Sequence, residues 1–274
     1  MSNYTEIISL QNPRIKDLVR LKDGKHRRRS GMYVIEGIRE LERAIAGGVE
    51  VVSFYVCQDR WLGPEYPALA DKIAAIIGVE SFSLSSSAFE KISNRENPDG
   101  MVVVAKMKTL MLDSLAGITG ASKSPFLLII EHVEKPGNLG TLLRSADAAG
   151  ADAVIVTDPV TDLYSPQAIR SSQGSIFALP TVYATNDEAK AYLVKNGIHP
   201  IAATPDAPRT LWETDMKQPI ALLLGSEADG LSPFWMDDTD TLRAKIPMSG
   251  RAADSLNVSA AAAIFLFEVV RQRR

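Results

Sequence analysis

The chain reads as an α/β protein of two units. Three observations carry this: apolar runs of strand length alternate with helical segments, a five-residue run from Phe126 to Ile130 is apolar at every position, and a Gly/Ser-rich stretch near residues 108–124 separates two alternating blocks. A run apolar at every position fits a strand buried on both faces of a parallel sheet. The boundaries expected are 1–107, a connection at 108–124, and 125–274.

In the first block, Asn12 can cap a helix over Asn12–Lys22, with Pro13 suited to the first turn and Ile15, Leu18, Val19 and Leu21 at helical spacing. A basic loop, Lys25–Arg29, follows. Tyr33–Ile35 reads as a strand, Ile38–Ala46 as a helix closed by Gly47-Gly48, Val49–Val56 as a strand and Ala68–Ile77 as a helix. Ser87–Ile92 reads as a short helix and Gly100–Ala105 as a strand. In the second block the expected strands are Phe126–Ile130, Ala153–Val156, Phe177–Tyr183, Pro200–Ala203, Ile220–Leu224 and Leu242–Ile246. Helices fit at Leu139–Ala149, Pro166–Ser171, Asn186–Asn196 and Asn257–Arg273. This pattern predicts a mainly parallel sheet with helices on both faces.

Composition excludes several classes. The single cysteine, Cys57, rules out a disulfide framework or a Cys-rich metal site and suits a reducing cytoplasm. No apolar run approaches the ~18 residues of a membrane span, and the N-terminus lacks signal-peptide features. The three histidines, His26, His132 and His199, lack metal-ligand spacing, so no metal is expected. There is no P-loop, G-x-G-x-x-G, H-E-x-x-H or G-x-S-x-G pattern. The formal charge of −3 hides an asymmetry: residues 1–35 hold eight Lys or Arg against three acids, a net +5, which leaves −8 for the rest. The cluster Lys25, Arg27, Arg28, Arg29 is either a solvated face or a phosphate grip for RNA.

In open parallel sheets, ligands sit beyond the C-terminal strand ends. Three loops there carry candidate chemistry. The first, Glu131–Gly140, leads into a helix that Asn138 can cap. Arg144 falls opposite that helix's apolar stripe, either as an ordinary exposed arginine or within reach of RNA or a partner subunit. The second, Leu224-Gly225-Ser226-Glu227, runs a buried strand into a small-residue turn and sets a carboxylate at the sheet mouth. The third, Ile246-Pro247-Met248 to Ser255-Leu256-Asn257, precedes a last helix that is apolar or small nearly all round. Such a helix is buried on more than one side, as a core helix or at a subunit interface.

Together these segments resemble the motifs of the SpoU/TrmH family of RNA ribose 2′-O-methyltransferases, within the SPOUT superfamily. The matching residues are Asn138-x-Gly140-x-x-x-Arg144, Leu224-Gly225-Ser226-Glu227-x-x-Gly230-Leu231, and Ile246-Pro247-Met248 with Ser255-Leu256-Asn257-Val258-Ser259. The first block, with Tyr33-Val34-Ile35-Glu36-Gly37, looks like the family's ribosomal-protein-like substrate-binding domain. One departure is Ala228, where the family often has glycine. The resemblance implies a SPOUT α/β domain with a deep trefoil knot, a homodimer packed through the knot region, and S-adenosylmethionine as methyl donor. It implies catalytic roles for Asn138, Arg144, Glu227, Ser255 and Asn257. Gly225, Ile246, Met248 and Leu256 would bind the cofactor, and Lys25, Arg27, Arg28 and Arg29 the RNA. The ribosomal-protein-like block favours ribosomal over transfer RNA. The rival from another class is a non-catalytic RNA-binding or ribosome-assembly protein, against which retention of the whole residue set argues.

Overall fold

The computed structural model describes residues 4–250 and 255–274. The chain divides into two compact units. One comprises the chain up to Lys108 together with Asp162–Ala178; the other comprises Thr109–Thr161 and the described residues from Leu179 onwards.

The first unit holds strands β1 (Thr5–Ile7), β2 (Met32–Glu36), β3 (Val51–Val56), β4 (Glu80–Leu84) and β5 (Met101–Lys106). Its helices are α1 (Pro13–Arg20), α2 (Gly24–Ser30), α3 (Ile38–Ala46), α4 (Glu65–Ala74) and α5 (Ser86–Ile92). The strands form one mixed sheet in the order β1-β4-β3-β5-β2. The Asn12 side chain accepts from the Arg14 N–H, and Pro13 takes the first helical position, as expected. Ile15, Leu18, Phe82, Leu84, Phe89 and Val102 meet in one core on this sheet.

The structure departs from expectation at three points here. The basic segment is a helix, not a loop: Asp23 caps it by accepting from the His26 N–H, and Gly31 ends it at φ 68°. The helix expected at Ala68–Ile77 starts and ends three residues earlier. Strands β1 and β4 were not anticipated. In β4, Phe82 and Leu84 point inward between serines, and a five-residue alternation is too short to stand out in sequence.

The second unit begins with a short turn at Leu112–Leu115 and a four-residue helix, α6 (Ala116–Thr119). The 108–124 segment is therefore no bare connection, because Leu115 is fully buried in this unit's core. Seven strands follow: β6 (Phe126–Glu131), β7 (Ala153–Thr157), β8 (Thr181–Ala184), β9 (His199–Ala203), β10 (Arg209–Thr210), β11 (Ile220–Leu224) and β12 (Leu242–Lys245). The helices of this unit are α7 (Pro136–Ala148), α9 (Asn186–Lys195), α10 (Pro233–Met236) and α11 (Val258–Arg273), while α8 (Pro166–Ser172) belongs to the first unit. The strand expected at Phe177–Tyr183 is confined to Thr181–Ala184, with a tight turn at Ser175–Phe177 and Pro180 just before it. Asn138 is not the cap of α7: Lys135 takes that position, Pro136 is the first helical residue, and the Asn138 side chain is left free for another partner.

All the pairings in the second sheet are parallel, in the order β10-β12-β9-β11-β6-β7-β8. Every residue of β6, β7 and β11 is buried. The chain steps outward from β6 to β8, returns to lay down β9, and later inserts β11 between β6 and β9. Strand order thus reverses beside β11, the position at which open α/β sheets bind ligands. The register sets Ile130 opposite Leu224 and Leu223 opposite Ala202, so the loops after β6, β9 and β11 leave the sheet at one level.

Candidate functional site

A cavity of about 590 Å³ lies at these strand ends. Five stretches line it: Ala203–Asp206 at the end of β9, Leu224–Leu231 at the end of β11, Met236 of α10, Ile246 and Met248 after β12, and the entry and inner side of α11 from Ser255 to Val258 with Ala261 and Phe265. All four expected cofactor residues, Gly225, Ile246, Met248 and Leu256, line it, as do Glu227, Ser255 and Asn257. Residues 251–254 of the third loop lie outside the described residues.

Glycine at 225 is a steric necessity. A Cβ there would lie 2.1 Å from the carbonyl carbon of Gly230 and 2.3 Å from the Leu231 nitrogen. Both are backbone atoms, so the loop would have to move. The loop closes on itself through reciprocal Ser226–Gly230 backbone hydrogen bonds of 3.0 and 3.1 Å. Gly230, at φ 70°, takes the left-handed conformation that completes the turn.

Glu227 is the hub of the polar side. Its Oε1 accepts from Asn138 Nδ2 and from Asn257 Nδ2, both at 2.6 Å. Its Oε2 accepts from Lys135 Nζ at 2.7 Å. This hydrogen bond to Glu227 holds the Lys135 ammonium above its ordinary pKa. One carboxylate therefore ties the start of α7 to the entry of α11. Asn257 also caps α11, its Oδ1 accepting from the Ser259 N–H at 3.0 Å. Ser255 lines the cavity without joining this cluster.

Arg144 stands apart. It lies on the exposed side of α7, opposite buried Leu139, Leu142, Leu143 and Ala146. Among the described residues it makes no hydrogen bond or ion pair, so Glu227 orients Asn138 and Asn257 rather than Arg144. His132 is exposed, at φ 55°, beyond the end of β6.

In the first unit, Lys25, Arg28 and Arg29 are exposed on α2. Arg27 departs from the expected basic grip. It is 4% exposed. Its Nε donates to Asp162 at 2.8 Å, and its Nη1 donates to the carbonyls of Leu21 and Lys22 at 2.8 and 2.9 Å. On a helix, Arg27 points inward while its neighbours point out, and the inward side has an acid from far along the chain. Sequence adjacency could not separate these roles.

Sequence reasoning also missed Lys135 and the Thr204-Pro205-Asp206 loop. The available signal was positional: Lys135 directly precedes Pro136-Gly137-Asn138, and Asp206 follows a strand end on the ligand side of the sheet. Among the described residues, no His/Cys/Asp/Glu group is placed to hold a metal, and no helix is long and apolar enough to cross a membrane.

The site has clear relatives. Residues 125–267 match the SpoU rRNA Methylase family, and residues 12–103 match the MRM3-like substrate binding domain. The chain is 31% identical to the 23S rRNA (guanosine(2553)-2'-O)-methyltransferase RlmP of Bacillus subtilis (strain 168), over 96% of this chain and 98% of that protein. It is 30% identical to the 23S rRNA (uridine(2479)-2'-O)-methyltransferase of Streptomyces viridochromogenes, over 97% of this chain and 92% of that protein. Its fold matches the AdoMet-bound rRNA methyltransferase from Sinorhizobium meliloti with a TM-score of 0.87, at 29% identity and 98% coverage of both chains. With both parts matched and the alignments running nearly end to end, the chain belongs to the SpoU rRNA methylase family.

Proposed function

We propose that this protein transfers a methyl group from S-adenosylmethionine to a ribose 2′-hydroxyl of ribosomal RNA. The observation that carries this reading is the cavity at the strand-order reversal, bordered by the Glu227 cluster, in a chain of the SpoU family. The two 23S relatives share the 2′-O chemistry and differ in the base, guanosine in one and uridine in the other. The catalytic loops would therefore serve the ribose, and choice of nucleotide would come from elsewhere.

The residues present suit the donor. The cavity is within the size range of small-molecule sites, and its lining combines Leu224, Leu231, Ile246, Met248 and Phe265 with a few polar groups. The backbone of the Gly225 turn and the strand exit at Ile246 would present N–H and C=O groups to an adenine edge. When bound, S-adenosylmethionine supplies a methyl group on a sulfonium, already a good leaving group. The protein must hold and align it. Alignment of this kind can supply roughly 7–11 kcal/mol of the barrier. Asn138, Glu227 and Asn257 would fix the loops that set the donor's position, with Ser255 at the same wall.

Arg144, a guanidinium with no acceptor, would hold a phosphate and lower the pKa of the nearby 2′-hydroxyl, instead of taking its proton. Its separation from Glu227 fits a homodimer in which a second copy reaches it. The outer side of α11 supports that assembly: Ile264 is 40% and Phe267 50% exposed, beside Ala260. A trefoil knot in the 125–274 domain, packing of the dimer through it, and a cytoplasmic location belong to the same reading. Lys25, Arg28 and Arg29 would grip RNA phosphates through a substrate-binding domain over residues 1–107.

The substrate class is tested by methyl transfer from labelled S-adenosylmethionine to separated ribosomal and transfer RNA taken from cells lacking the protein. Label in the ribosomal fraction alone is expected. Label confined to transfer RNA would overturn the choice of substrate. Cofactor binding without label in any RNA would favour a non-catalytic RNA-binding role.

A further inference from the structure

Glu131, the last residue of β6, is 3% exposed and has no part in the transfer described above. Its carboxylate oxygens act as acceptors. Oε2 accepts from the Ser232 backbone N–H at 2.7 Å. Oε1 accepts from the Ser232 hydroxyl and from Asn186 Nδ2, both at 2.6 Å. Asn186 also donates to Asp158 Oδ2 and accepts from the indole N–H of Trp235, both at 2.9 Å. Trp235 is fully buried.

Ser232 ends the loop that starts at Gly225. That loop is pinched at one end by the Gly225–Gly230 approach and the Ser226–Gly230 bridge. At the other end, both donors of Ser232 converge on Glu131. Between these ties sit Glu227 and the backbone that lines the cavity. A buried carboxylate is costly unless its lone pairs are satisfied. No cation pairs with Glu131 among the described residues; its compensation comes from the cavity loop and from Asn186. Hydrogen bonds to a charged acceptor are roughly twice as strong as neutral ones, so this is a firm anchor.

We infer that Glu131 is a positioning residue for the cofactor, acting through Ser232 to fix the Gly225–Ser232 loop. This inference rests on the reading of the cavity as the S-adenosylmethionine site. In Glu131→Gln, an amide NH₂ would face donors that now point at an oxygen, which would release one or more ties of the loop.

The test is calorimetric titration of S-adenosylmethionine into the full chain, well below each variant's melting temperature. Wild type should bind, and Gly225→Val should lose binding. Glu131→Gln should weaken affinity ten-fold or more, while RNA affinity stays unchanged. Ser232→Ala, which keeps the backbone N–H, should weaken it less. The double variant should be no weaker than Glu131→Gln alone, because the two changes cut one connection. In turnover, KM for the donor should rise more than kcat falls.

Wild-type donor affinity in Glu131→Gln, with only a lowered melting temperature, would make the residue purely structural and overturn the inference. Additive losses in the double variant would overturn the route through Ser232. Unimpaired donor binding by Gly225→Val would instead take down the cavity reading, and this inference with it.

Discussion

Replacing Asp162 by alanine should destabilise the first unit more than any change to the exposed arginines of α2. Asp162 Oδ2 accepts from Arg27 Nε at 2.8 Å and lies 2.7 Å from Nη2. The side chains are 5% and 13% exposed, so solvent screens the pair little. Removing one partner of a buried pair costs about 3–5 kcal/mol, because the other charge stays buried. The carbonyls of Leu21 and Lys22 still hold Nη1 of Arg27, which puts the expected loss near the lower end, ~3 kcal/mol. At about 3–5 °C per kcal/mol for a unit between the small and the large domain classes, the melting temperature should fall by roughly 9–15 °C. Asp162→Asn keeps one acceptor oxygen and should lose less. Arg28→Ala, at an exposed position, should stay within about 0.5 kcal/mol of wild type. Thermal unfolding followed by circular dichroism decides the matter. A fall of under ~2 °C in Asp162→Ala would refute the view that Arg27 is a structural residue held by this acid.

Other outcomes follow from the site. Arg144→Ala should abolish methylation while leaving S-adenosylmethionine affinity intact, since Arg144 does not line the cavity; near-normal turnover would remove it from the mechanism. Reversing Lys25, Arg28 and Arg29 to glutamate should weaken RNA binding and flatten its salt dependence, by roughly 0.7–0.9 in log–log slope for each phosphate no longer neutralised. Cofactor affinity should not change, and equal salt slopes would dismiss the patch. Hydrogen bonds from Arg271 and Gln272 hold the Glu268 carboxyl below its ordinary pKa. A depressed carboxyl contributes stability that is complete above its unfolded value, near ~4.3, and is lost as pH falls through the folded value. The stability gap between wild type and Glu268→Gln should therefore close in acid; a gap that persists at pH 2 would contradict this.

Much of this architecture is legible in sequence where burial is two-sided. β11 is apolar throughout and β6 is apolar up to its last residue, Glu131, and Ile220–Leu224 and Ile38–Ala46 match their expected limits. Asn257 and Asn12 cap the helices they precede, because a cap is a local interaction. What escaped the sequence was nonlocal. Asn138 has the chemistry of a cap, but the Lys135-Pro136 step starts the helix earlier and leaves Asn138 to Glu227, 89 residues away. Arg27 looked like its neighbours until Asp162, 135 residues on, claimed it. The motifs named Glu227 and Asn257; only the fold shows one carboxylate accepting from both asparagines and Lys135.

The most direct test of the central claim is to incubate wild-type protein and Arg144→Ala with labelled S-adenosylmethionine and unmodified ribosomal RNA, then digest the product to nucleosides. The expected result is label in a single 2′-O-methylnucleoside with wild type and none with the variant. Label on a base, or equal ribose label from both proteins, would contradict the roles assigned to this site.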